Sequence, residues 1–317
     1  MIAALRWLKD NIIEFGGDPH SITLMGHHTG AIAVNYLMLS PVSQADNGLF
    51  QRAILMSGTA LSSWSEVKHP EESARALAEQ LKCPMDDLSN CLREKDWDEL
   101  VHVRLPEDPA PTVDGVVVLN HPKDLMSHNT GLFTGRSDTD TTVYFLSPTA
   151  VHNSTRSALT YSFYLNLPLV RLTFGMALIN FKYDLLCGVT ESESYHILDT
   201  IALNNGLEDQ EKEEVLARFF KKNFGSQWRT AKDRASGVYD LHSARMSPLK
   251  ARDNTLTLLS DARVVAPVFQ MATYHATAAQ GNIKTFVYVF SHRSKHIDHP
   301  LVRTRHHRKH DLLTDSV

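Results

Sequence analysis

The pentapeptide Gly26-His27-His28-Thr29-Gly30 constrains this chain more than any other stretch. It follows a mostly apolar, β-branched run, Ser21-Ile-Thr-Leu-Met-Gly26, that reads as a short buried strand. It precedes Ala31-Ile-Ala-Val-Asn-Tyr-Leu-Met-Leu-Ser40, a helix from about 30 to 39 with Pro41 behind it. A strand that passes into a helix through so few residues must turn sharply. Glycine at both ends of that turn, Gly26 and Gly30, suits a close approach of helix to strand.

The rest of the pattern repeats this alternation. Residues 2–15 read as a helix with Ile2, Leu5, Leu8, Ile12 and Ile13 on one face, and the GGDP of 16–19 ends it. Residues 52–57 form a second apolar strand that stops at Gly58, 183–190 a third and 285–290 a fourth. Helices are expected over 70–82, 87–102, 193–203, 208–224 and 254–278. Strands separated by helices imply an α/β fold with a mostly parallel sheet and helices on both faces.

Length and composition set the outer bounds. A chain of 317 residues, 43% of them hydrophobic, can bury a sizeable core in one large domain or two modest ones. A formal net charge of -4 gives no case for nucleic acid, whose partners show a basic face. Met1 runs directly into an amphipathic helix, so no leader peptide is read at this end. The apolar run 158–180 has the length of a membrane span, but Pro168 and Arg171 interrupt it and flanking charges are lacking, so it is not read as one. The tail from Ser291 is rich in His, Arg and Lys without periodicity and reads as disordered. Its His306, His307 and His310 lack a Cys or carboxylate set at ligand spacing, so no metal site is assigned. Cys83 and Cys91 lie eight residues apart around a loop-like stretch, and the spacing alone fits two reduced thiols as well as a local disulfide. Cys187 is then the odd one, expected to be buried.

A G-x-x-x-G turn between strand and helix is where α/β-hydrolases place the G-x-S-x-G nucleophile elbow. Here His28 occupies the serine position. An imidazole can act as a nucleophile, but its acyl adduct hydrolyses quickly, and it would need the partners that a serine uses. The chemistry-neutral reading of His28 is a side chain on an elbow kept for folding.

Two long stretches, ALRWLKDNIIEFGGDPHSITLMGHHTG and GLFQRAILMSGTALSSWS, resemble the type-B carboxylesterase and cholinesterase family. NCLREKDWDELV, PTVDGVVV, YDLLCGVTESESYHIL and RDNTLTLLSDARVVAPV are similar to the invertebrate members of its non-catalytic neuroligin branch. The resemblance covers about 1–134 and 181–290, two parts of one carboxylesterase-like domain, flanking an unmatched and irregular insert, 135–180, and followed by the tail 291–317. It implies a partial α/β-hydrolase fold whose N-terminal strands, with their glycine-rich oxyanion loop, lie outside the chain. It also implies a Cys83–Cys91 disulfide and places Glu193 at the position of the triad acid. In the adhesion branch that loop faces the partner, so Thr190, Glu191, Glu193 and Tyr195 become the expected contacts with a neurexin-like cell-surface protein.

Catalysis is not expected. The serine is replaced by His28, no HGxxxPY frame follows the strand 285–290, and the oxyanion loop is missing. The resemblance implies an extracellular adhesion protein at synapses or cell contacts, with a homodimer in a full-length parent. No cofactor belongs to the chain itself, although the family leaves room for calcium at a partner interface. Asn153-Ser-Thr is a glycosylation sequon of little weight, inside the insert. Two other readings stay open: an active carboxylic-ester hydrolase, and a truncated gene product without function, in which 136–180 and 291–317 are not genuine coding sequence.

Overall fold

The computed structural model describes residues 1–45, 48–127, 182–242, 246–278 and 282–291, together with the backbone of 144–146. In chain order the first half comprises α1 (Ile2–Asn11), β1 (Thr23–His27), α2 (Thr29–Leu39), α3 (Pro41–Gln44) and β2 (Arg52–Met56). It continues with α4 (Pro70–Leu81), α5 (Leu88–Arg93), α6 (Trp97–Val101), α7 (Pro122–Ser127) and β3 (Tyr144–Leu146). The second half holds β4 (Asp184–Thr190), α8 (Thr200–Asn205), α9 (Asp209–Phe224), α10 (Trp228–Val238) and α11 (Pro248–Ser260). Then come α12 (Ala266–Ala278) and β5 (Thr285–Phe290).

The strands form one parallel sheet in the order β1-β2-β4-β5-β3. Register aligns Leu55 with Cys187 and Cys187 with Val287, and all three are fully buried at 0% exposure. Such a row is the period-two face of neighbouring strands turned to one core. Helix α2 is apolar nearly all round and buries Ala31, Ile32 and every residue from Val34 to Leu39, as a helix enclosed on all sides must. Its buried apolar residues join those of β2, β4, β5 and α12 in one hydrophobic cluster, with Leu24 of β1 packed against it. The helical second half of the chain has two smaller cores of its own. Tyr195, Leu198, Leu203, Leu207, Ala251 and Leu256 form one of its cores, and Leu216, Phe220, Leu241, Leu258 and Leu259 the other.

Several boundaries differ from those read in the sequence, each for a local reason. The first helix gives way to a 3-10 turn at Ile12–Phe15, and Gly16, with φ +80°, ends it. The helix expected over 87–102 is two, because Asp96 takes an extended conformation and its side chain accepts from the Asp98 N–H, starting a new helix. The helix expected from 254 begins at Pro248, where Ser247 caps the Lys250 N–H. That helix is also interrupted by a π-helical turn, Asp261–Val265, before α12. Between 193 and 203 there is only a 3-10 turn, Tyr195–Ile197, and then α8, capped by Asp199 onto the Ala202 N–H. Helix α10 had no counterpart in the reading. Residues 144–146, inside the stretch expected to be irregular, form β3 and pair with β5.

Candidate functional site

Parallel α/β sheets present their sites beyond the carboxyl ends of the strands. Here those ends are His27, Met56 and Thr190. His28 follows β1 at φ 54° and ψ -115°, a backbone conformation costly for a residue with a Cβ. The surroundings over-determine it. Its N–H donates to the Met56 carbonyl at 2.9 Å, and its own carbonyl accepts from the Ile32 N–H at 3.1 Å. Gly26 is required: a Cβ there would lie 2.3 Å from the Gly30 carbonyl. Gly58 is required in the same way, since its Cβ would lie 2.3 Å from the His28 carbonyl oxygen. Gly30 corrects the expectation, because a Cβ on it meets nothing within 4 Å. The close approach runs from the helix onto Gly26, so one glycine of the pair carries the steric demand.

The His28 ring is half-buried. It stacks on Trp64 with centroids 4.3 Å apart and meets the edge of His196 at 6.0 Å. Trp64 is itself anchored, its indole N–H donating to the Arg263 carbonyl at 3.3 Å, and Arg263 Nη1 lies 3.3 Å from His196 Nε2. The π-helical turn between α11 and α12 thereby carries Arg263 to the elbow. Extra residues of this kind recur at functional sites.

Ser57 is a second strained residue, with φ 54°, one step beyond β2. Its N–H donates to the Gly188 carbonyl at 2.9 Å, and its hydroxyl donates to Glu193 Oε1 at 2.5 Å. Glu193 is 1% exposed. Its Oε1 also accepts from the Thr190 N–H at 2.6 Å, while Ser260 Oγ accepts from both the Glu193 and Ser194 N–H groups at 3.0 Å. A carboxyl group so enclosed is held in place by these bonds, as a buried polar group must be. Its field reaches Tyr288, whose phenol is raised first by burial and further by Glu193 and Cys187. Cys187 is a free, buried thiol, pushed up to about 12 by burial.

Of the four residues expected to touch a partner, Thr190, Glu193 and Tyr195 are buried and Glu191 alone is exposed. The physical reason is that β4 runs two residues past β2 and the loop folds inward onto Ser260. Cys83 and Cys91 form a disulfide, joining the end of α4 to α5. Asn153, His306, His307 and His310 lie outside the described residues. Among the described residues no group of three or more His, Cys, Asp and Glu side chains is arranged to hold a metal ion, and no helix is long and apolar enough to cross a membrane. The sequence reading missed Ser57, Trp64, His196, Ser260 and Arg263. Ser57-Gly58 at a strand end was the one local signal available; the others are brought in by tertiary contacts.

A family model of the carboxylesterase family matches residues 1–162 and 173–314. The matched ranges take in part of the 135–180 segment and most of the tail as well as the motif-bearing stretches. The chain is similar to Neuroligin-2 of Rattus norvegicus and of Homo sapiens, 46% identical over 135 residues, which is 39% of this chain and 16% of each relative. It is similar to Neuroligin-3 of Mus musculus at 42% over 135 residues, with the same shares. The chain thus spans 16% of the length of these relatives. A parallel sheet flanked by helices, a strained strand-to-helix elbow at its carboxyl end and a family match over most of its length together establish that this chain belongs to the carboxylesterase family.

Proposed function

We propose that this chain is part of a non-catalytic, cholinesterase-like cell-adhesion protein that acts on the extracellular face of a membrane and binds a neurexin-type surface partner. The reading rests on the elbow: His28, at φ 54° and ψ -115° between β1 and α2, is taken to fill the position where an esterase needs a hydroxyl. The ring packs against Trp64 and His196, as a structural side chain does, and Ser57, the hydroxyl bonded to Glu193, is fully buried. A nucleophile must be reached by substrate and needs a base and an oxyanion hole as well. Similarity to Neuroligin-2 and Neuroligin-3 supports the same reading. Glu191, on the exposed side of the loop after β4, is the residue offered for partner contact, and function then resides on a surface carried by the fold.

The test is binding of the secreted chain to an immobilised neurexin ectodomain with and without calcium. Calcium-dependent binding that weakens in Glu191→Ala is expected. A well-folded sample that does not bind would overturn the partner assignment. Hydrolysis of a p-nitrophenyl ester is the parallel assay: turnover by the parent chain that disappears in His28→Ala would establish the esterase reading instead.

A further inference from the structure

Arg263 is half-buried in the π-helical turn, and burial lowers the proton affinity of its guanidinium. Charged side chains taken out of water are ordinarily paired with a counter-charge. Among the described residues no carboxylate stands within ion-pair distance of it. The acid whose field acts on it, Asp108, is exposed and lies 3.6 Å from Lys222. What does surround Arg263 is a set of nitrogen groups. Its Nη1 lies 3.3 Å from His196 Nε2, the edge of His196 faces His28 at 6.0 Å, and the Trp64 indole N–H is spent on the Arg263 carbonyl. A guanidinium nitrogen can only donate, so Nε2 of His196 is the acceptor in this contact. Arg263 thus brings one fixed positive charge and a planar fork of donors, with no ion-paired carboxylate among the described residues.

We propose that Arg263, with His196 and His28 beside it, forms a binding site for a carboxylate at the mouth of the elbow. A guanidinium fork matches the two oxygens of a carboxylate, and a single negative charge offsets the single positive one. A phosphate dianion would leave about one negative charge uncompensated in a partly desolvated place, which disfavours it. The occupant is a free small acid or the side chain of a Glu or Asp on a docked protein; the chemistry is shared.

The experiment follows the imidazole carbon-bound protons of His28 and His196 by NMR in the full chain at pH 7. Sodium acetate is titrated in at constant ionic strength, balanced with chloride. Saturable shifts of both histidines are expected, with affinity falling at least about tenfold in Arg263→Gln. Arg263→Lys, which keeps the charge and loses the fork, is expected to fall in between, and it carries the comparison if the glutamine variant fails to fold. Capped glutamate set against capped glutamine separates the sources. Binding of acetate and capped glutamate alike assigns a site open to protein side chains, and binding of acetate alone assigns a free acid. Absence of saturable shifts in a folded sample, or the same titration curve in both Arg263 variants as in the parent, overturns the site.

Discussion

Gly26 and Gly30 look equivalent in the sequence, and their surroundings separate them. A methyl group on Gly26 would sit 2.3 Å from the Gly30 carbonyl, in backbone that cannot retreat without lifting α2 off the sheet. Gly26→Ala should therefore destabilise by about 2–3 kcal/mol or more. Gly30→Ala, which meets nothing within 4 Å and lies in the first turn of a helix, should be neutral or stabilising by up to about 1 kcal/mol. Urea unfolding midpoints of the two variants measure the contrast, and equal losses would refute the packing argument. His275 carries a second prediction at this scale. It is fully buried on α12, with Nδ1 2.8 Å from Thr285 Oγ1, and burial, only partly opposed by the Tyr183 backbone and Asp184, depresses its pKa to about 4. Its folded value lies below the unfolded one, so the unfolded chain binds the extra proton as pH falls. Stability from this group is complete above about pH 6.5 and is lost as pH drops toward 4, by up to roughly 3 kcal/mol. Melting temperature against pH should decline in that window for the parent, and the decline should shrink in His275→Gln; unchanged slopes would remove the assignment.

Among the elements, α4 and α5 depend on a covalent tie. Cys83 and Cys91 close a short loop between the end of one helix and the middle of the next, with Cα atoms 5.8 Å apart. Closing a loop of this length restricts the unfolded chain by about 2–3 kcal/mol. The paired Cys83→Ser and Cys91→Ser variant should lose about that much in a denaturant melt, and loss of α5 helicity by hydrogen exchange should accompany it. The exposed Trp97 and Val101 on α6 contribute little burial that could compensate. If the double variant melts like the parent, the helices hold the loop without the bond.

For the molecule as a whole, the sheet order leaves β1 at an edge among the described residues, and that edge presents Met25 at 49% exposure. Trp7 and Phe15, close by in sequence, expose further aromatic surface with ring centroids 6.5 Å apart. A parallel edge strand offers unpaired backbone donors and acceptors to any second chain. The purified chain is expected to self-associate, and Met25→Lys should shift it toward monomer in size-exclusion chromatography with light scattering. A monodisperse parent chain would show that the edge is already protected.

Much of this architecture is legible without coordinates, because its determinants are local. The apolar runs ending at Gly26, Gly58 and Thr190 mark strands by periodicity and by the turn residues that stop them, and the helical stretches between them require parallel pairing. The elbow is legible too, since the tight passage from Leu24 to Ala31 admits few backbones. The assembly of the site is not. Sequence separation hides Ser57 from Glu193 and Trp64 from Arg263. The π-helical turn that aims Arg263 depends on how α11 and α12 pack, and no local propensity announces it. Burial of Thr190 and Tyr195 is settled by the loop folding onto Ser260, a contact made across 67 residues of chain. Side-chain identity and short-range periodicity determine which elements form; packing between distant elements alone decides which of those side chains end up facing one another and which face solvent.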